Sequence, residues 1–210
     1  MSLNKYTFFT IFCYGLAFFI PAFFPTPDQA ILATTVTYLT GALLMIFLYQ
    51  KQTEPLLHEK KVSSKLAILL WGLGGIFIAL LLQAVATSIE GMFGQTTPSE
   101  NTQNIISIII QRPIFAIAVT IGGPIMEEFV FRRAILGFVS KHFSFWIGVV
   151  VSSLAFAFAH NDGHLLVYFL LGSFFAWLYA HTGKIWTSII THVGMNALVV
   201  LVQLFAQSQS

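Results

Sequence analysis

The sequence predicts an all-α protein, a polytopic transmembrane bundle of about seven helices, with six to eight as the range. Hydrophobic residues make up 57% of its 210 positions and charged ones only 9%, against about 25% in a soluble domain. Phenylalanine alone occurs 22 times. A soluble fold this short could not hide so much apolar surface, so lipid must solvate part of it. The apolar residues also fall into seven runs, and none alternates as the strands of a membrane barrel would.

The first run, 6–24, follows Lys5 and is closed by Pro21 and Pro25. No small-x-small cleavage pattern follows it, so it reads as a retained helix rather than a signal peptide. Runs 30–49 and 66–89 meet the length of about 20 residues that a membrane crossing needs. The fourth, 105–126, is read as one helix that continues through 127–140, because nothing breaks it after Pro124. Runs 143–159 and 165–180 are short, and 185–205 is the last. The whole chain, 1–210, is expected to be one membrane domain.

Lys and Arg set the expected orientation. With the N-terminus in the cytoplasm, Lys5, Lys51, Lys60, Lys61, Lys65, Arg132, Arg133, Lys141 and Lys184 fall on the inner side, nine of the ten cations. Only Arg112 falls outside. The loop 91–104 has no Lys or Arg and suits the outer face, and the C-terminus is expected to be external. The membrane in question is expected to be the plasma membrane. A net charge of +2 gives no ground for a nucleic-acid partner, and the single Cys13 excludes a disulfide framework or a cysteine metal site.

Charges near a bilayer core are costly and face the bundle interior. Glu127, Glu128 and Arg132 therefore need explaining. On a helix Glu128 and Arg132 are spaced i,i+4 and can pair on one face. Glu127 is rotated about 100° away, which leaves one structural carboxylate and one free to work. The bland alternative is that all three sit at the interface and snorkel. His160 closes the fifth run. His192 lies inside the seventh, and Asn196 follows one turn later on the same face. A lone histidine in an apolar helix is more often a packing residue than a catalyst. Two of them beside an asparagine and an uncommitted glutamate are harder to dismiss. Counting helical rise from the nearest turn places Glu127, His160, Asn196 and His192 roughly 22, 27, 20 and 13 Å above one side of the bundle. Groups on three helices can thus converge. Arg112 before Pro113 reads as an outer helix anchor, His142, His164 and His181 as solvated turn residues, Asp162 as turn chemistry and Gln83 as helix packing.

These residues carry a resemblance. Glu127-Glu128-x-x-x-Arg132, Phe156-x-x-x-His160 and His192-x-x-x-Asn196 stand in the order and spacing of the CPBP intramembrane proteases, also called the Abi or CAAX-protease family. That family includes type II CAAX prenyl endopeptidases and bacteriocin-immunity proteins. The resemblance covers residues 105–200, read as the catalytic core, with 1–104 as family-variable helices. Arg133 departs from the Gly that many relatives carry there.

The resemblance implies endopeptidase activity on a peptide or membrane-protein substrate in the bilayer. It implies that Glu127 activates water as general base and that His160 orients the water. His192 and Asn196 would stabilise the oxyanion, while Glu128 and Arg132 hold the site's shape. An amide and an imidazole N–H can both donate to an oxyanion, and such donors count for more where water is excluded. The family often carries a metalloprotease label, and Glu127 or Glu128 with His160 and His192 would make a three-ligand zinc set. No His-Glu-x-x-His helix is present, and Asn196 suits an oxyanion better than zinc, so no cofactor is favoured. Two other readings use the same residues: a non-enzymatic immunity or binding protein of this fold, and a small transporter. The absence of paired inverted halves speaks against the transporter.

Overall fold

The computed structural model describes residues 1–95 and 99–209, so residues 96–98 of the expected outer loop 91–104 lie outside the described residues. Among the described residues all regular structure is helical, in eight helices. These are α1 (Leu3–Phe19), α2 (Pro27–Lys51), α3 (Lys65–Met92), α4 (Glu100–Gln111), α5 (115–142), α6 (Phe145–His160), α7 (Leu165–Thr182) and α8 (Ile185–Gln207). Five spans, α1 with the 3-10 turn that extends it to Phe23, α2, α3, α7 and α8, are long and apolar enough to cross a membrane, and α6 is a shorter apolar helix. Large apolar side chains such as Phe8, Phe12, Leu70, Phe77, Leu81, Val202 and Phe205 face outward. In water that would be untenable; in lipid it costs nothing.

The helix starts follow from hydroxyl caps. The side chains of Thr26, Ser64, Ser99 and Ser144 accept the N–H groups of Gln29, Ala67, Thr102 and Ile147 at the starts of α2, α3, α4 and α6. The single helix expected over 105–126 is instead two. Pro113 has no N–H to donate and disfavours helical backbone at Arg112, so α4 stops there and α5 begins afresh. Arg112 ends α4 and pairs with Asp28 at 2.7 Å. As expected, α5 runs unbroken past Pro124, to His142.

The contacts between chain ends define two poles. At one, the Met1 amine donates to the Lys51 carbonyl, Lys141 pairs with Glu54, and the Ser63 N–H donates to the Thr182 carbonyl. At the other lie the Asp28–Arg112 pair, a Ser99–Asp162 bond and a Glu90–His164 pair. Lys51, Lys61, Lys65, Lys141 and Lys184 gather at the first pole, which is called the cationic pole below. His164, expected as a solvated turn residue, is instead buried, its Nδ1 2.7 Å from Glu90. Glu90 also accepts the N–H groups of Leu166 and Val167 at the start of α7, so one carboxylate ties an imidazole and a helix start together where two helices meet.

Between α2 and α3 the segment 52–64 folds back over the cationic pole. Glu59 is its anchor, accepting the hydroxyls of Tyr49 and Tyr179 and the Leu56 N–H and pairing with buried Arg133 at 3.2 Å. Arg133 also donates to Gln52 and to the Glu54 carbonyl, and lies over the Tyr6 ring. The departure at Arg133 thus has a packing role: it ties the N-terminal helices to α5. Burial pushes the neighbouring His58 down to a pKa of about 4. Gly183 completes the clamp. It ends α7 with φ +70°, and a Cβ there would collide with the carbonyl oxygens of Lys61 and His58. Gly183→Ala combines left-handed strain with a backbone collision. It is expected to destabilise the fold by about 2 kcal/mol or more, read as a lowered thermal midpoint in detergent.

Candidate active site

Helix α5 carries two stretches of wide π turns, Ala118–Gly122 and Glu128–Ile135, with Glu127 between them. Wide turns of this kind recur at functional sites because they re-aim side chains within a helix. The α2 backbone passes so close that a Cβ on Gly122 would lie 3.1 Å from the Tyr38 carbonyl carbon. Glycine admits that approach without displacing α2, and it puts Tyr38 beside the glutamate.

The two glutamates differ in access. The Glu128 side chain is sealed at 0% exposure, whereas that of Glu127 keeps 19%. Glu128 Oε1 lies 3.5 Å from an Arg132 nitrogen and 3.0 Å from His192 Nδ1. Arg132 is fully buried, and its guanidinium is held among aromatic rings, 4.4 Å from the centre of Phe156, 5.5 Å from Phe175 and 5.8 Å from Phe131. Ring faces are the one apolar surface that attracts a desolvated cation. Phe175 also stacks on the His192 ring at 4.7 Å. His192 therefore sits fixed, with Nδ1 on Glu128 and Nε2 3.6 Å from Glu127 Oε2.

His160 ends α6. Its Nδ1 is 2.9 Å from the Phe156 carbonyl oxygen, which only accepts, so Nδ1 carries a hydrogen and Nε2 of the neutral ring is an acceptor. Glu127, His160 and Asn196 line one cavity of about 290 Å³. His160, His192 and Asn196 line a second, of about 90 Å³. Side chains from α5, α6 and α8 are thus brought together. Thr102, Gln83, Val167 and Tyr168 link the smaller cavity to a third, of about 680 Å³, towards the pole opposite the cations.

Several residues around this site are not assigned to it by sequence reasoning. Tyr168 stacks on His160 at 3.8 Å and donates its hydroxyl to Asp162 at 2.7 Å, and Ser99 donates to the same oxygen at 2.6 Å. Asp162 is therefore more than turn chemistry, since it holds the ring that holds His160. Asn101 and Asn104 of α4, with Tyr14 and Tyr38, line the Glu127 cavity. Gln83, read as helix packing, lines the cavity of His192 and Asn196. A lone tyrosine or glutamine in an apolar helix, and asparagines in a polar first turn, carry no local signal; only the fold brings them together. Among the described residues, no three His, Cys, Asp or Glu side chains are gathered so as to hold a metal ion, the set Glu127, His160 and His192 included.

Fold and site together define a polytopic membrane protein with a carboxylate, histidine and asparagine cluster gathered among its helices. The family model described as type II CAAX prenyl endopeptidase Rce1-like matches residues 109–198. The chain is 41% identical over 164 residues to the putative membrane peptidase YdiL of Bacillus subtilis (strain 168), covering 77% of this chain and 67% of the relative. It is 35% identical over 178 residues to the membrane-embedded CAAX protease MroQ of Staphylococcus aureus (strain USA300), covering 80% and 72%. The chain belongs to the Rce1-like family of CAAX proteases, and so to the membrane-embedded peptidases. No solved structure matches it.

Proposed function

We propose that the protein is an intramembrane endopeptidase in which Glu127 activates water. The observation that carries this reading is the unequal access of the two glutamates: Glu128 is sealed by Arg132 and His192, while Glu127 opens into the cavity of His160 and Asn196. Glu127 takes a proton from a water held by His160 Nε2, and the resulting hydroxide attacks the scissile carbonyl carbon. The carbonyl electron pair moves to oxygen. Asn196 donates its amide N–H to that oxyanion. His192, oriented by Glu128 at its Nδ1, donates from Nε2 to the same oxyanion. Collapse of the intermediate breaks the C–N bond, and the leaving amine takes the proton back from Glu127. The products are a new carboxyl terminus and a new amine.

The cavities open away from the cationic pole. With that pole in the cytoplasm, as the positive-inside rule directs, the substrate would be a peptide or membrane protein reaching the site from the outer half of the bilayer.

Cleavage of a fluorogenic peptide library by the purified protein tests the proposal. Activity is expected to withstand a zinc chelator, and loss of activity with recovery on adding zinc would overturn the metal-free mechanism. Asn196→Ala removes one oxyanion donor and is expected to lower kcat about 100-fold or more with little change in KM. An equal rise in KM with kcat intact would place Asn196 in ground-state binding instead.

A further inference from the structure

One large cavity lies away from the catalytic cluster. It has a volume of about 730 Å³ and lies at the cationic pole. The segment 53–58 and Lys60 form one wall, and Leu3, the end of α5 and Phe145 form the rest. Its inner surface is mostly apolar, from Leu3, Pro55, Leu56, Leu57 and Phe145. Lys60 and Lys141 line it as well, with one carboxylate, Glu54. Glu54 is already engaged, accepting from Lys141 at 3.0 Å and from the Leu3 N–H at 3.3 Å. Lys60 makes no salt bridge among the described residues. Inside the cavity wall, His58 Nε2 and Ser140 Oγ are buried without a hydrogen-bond partner.

Charge at this pole is lopsided. Lys5, Lys51, Lys60, Lys61, Lys65, Arg133, Lys141 and Lys184 belong to it, and of the eight carboxylates in the chain only Glu54 and Glu59 do. Glu59 is consumed by Arg133. The cavity also sits where helices end, at the depth of lipid headgroups. An apolar chamber with cations at its mouth, at that depth, matches one kind of molecule: an amphiphile with a negatively charged head.

We propose that this cavity binds one anionic phospholipid from the leaflet at the cationic pole, its phosphate between Lys60 and Lys141 and an acyl chain against Leu56, Leu57 and Phe145. The site is independent of the peptidase reading. It bears on the catalytic helix all the same, because the segment that walls it carries Glu59, whose partner Arg133 adjoins Arg132. An occupant would brace that segment against α5.

The test uses the full chain in neutral detergent. Unfolding is followed by a thiol-reactive dye that reports exposure of Cys13, which is buried in the folded bundle. Dioleoylphosphatidylglycerol, dioleoylphosphatidylcholine and water-soluble glycerol phosphate are titrated separately. Phosphatidylglycerol is expected to raise the midpoint saturably, and the other two are not. The Lys60→Gln, Lys141→Gln double variant is expected to need about tenfold more phosphatidylglycerol, whereas Glu54→Gln, which frees Lys141, needs less. Lys65→Gln with Lys184→Gln removes two cations of the same pole that lie outside the cavity, and is expected to leave the titration unchanged. Equal stabilisation by phosphatidylcholine would overturn the charge requirement, and equal stabilisation by glycerol phosphate the lipid. An equal loss in the Lys65, Lys184 variant would reduce the effect to general surface attraction and overturn the site.

Discussion

Glu127→Gln is expected to abolish peptide cleavage while the protein still folds and inserts. The amide keeps the size and the cavity of the side chain but cannot accept a proton from water, so the loss should reach about 1,000-fold or more in kcat, the upper part of the range for general-base removal. The fold should tolerate the change, because Glu127 is the accessible carboxylate and no buried cation depends on it alone; Arg132 keeps Glu128 at 3.5 Å. The check is a turnover assay beside the Cys13-exposure melt on the same preparation. Cleavage that survives in Glu127→Gln would mean that another group is the base. A collapse of the melt would mean that Glu127 is structural after all.

Arg132→Met is expected to have the largest effect on stability. It leaves Glu128, sealed from solvent, without its guanidinium and with the His192 imidazole as its remaining neighbour. Breaking a buried pair from one side costs about 3–5 kcal/mol, and the aromatic rings around Arg132 lose a cation they were arranged to hold. The double variant Glu128→Gln, Arg132→Met removes both charges and should recover much of that stability. It should not recover activity, because His192 would lack the carboxylate that receives Nδ1–H. Thermal midpoints of the single and double variants, with turnover measured on each, separate the two roles. A double variant as unstable as Arg132→Met alone would show that ring packing, not the ion pair, is what Arg132 supplies.

Much of the candidate site is legible in the chain because membranes make polar residues conspicuous. In a soluble protein Glu127, Glu128, Arg132, His160, His192 and Asn196 would be six polar residues among many. In runs this apolar each demands a partner, and the i,i+4 spacing already pairs Glu128 with Arg132 and aligns His192 with Asn196. Residues whose chemistry is ordinary in a helix stayed hidden. Tyr168, Asp162, Asn101 and Gln83 gain meaning only from what stands opposite them. His164 was misjudged for the same reason: its turn is local, but Glu90, which buries it, is 74 residues away.

The sequence alone determined that the chain lives in lipid, that its regular structure is helical and where most helices run. Those properties depend on composition, on run length and on capping residues adjacent in the chain. Pro113 splits the run 105–126, which the apolar count reads as one helix, into two. Tertiary structure decided the rest. It made one glutamate sealed and its neighbour accessible, placed both nitrogens of His192 opposite carboxylates, and folded the segment 52–64 over the cationic pole through Glu59 and Arg133. Each of these is a matter of distance between residues remote in the chain, set by helix packing and by the wide turns of α5, which no run of neighbouring residues encodes.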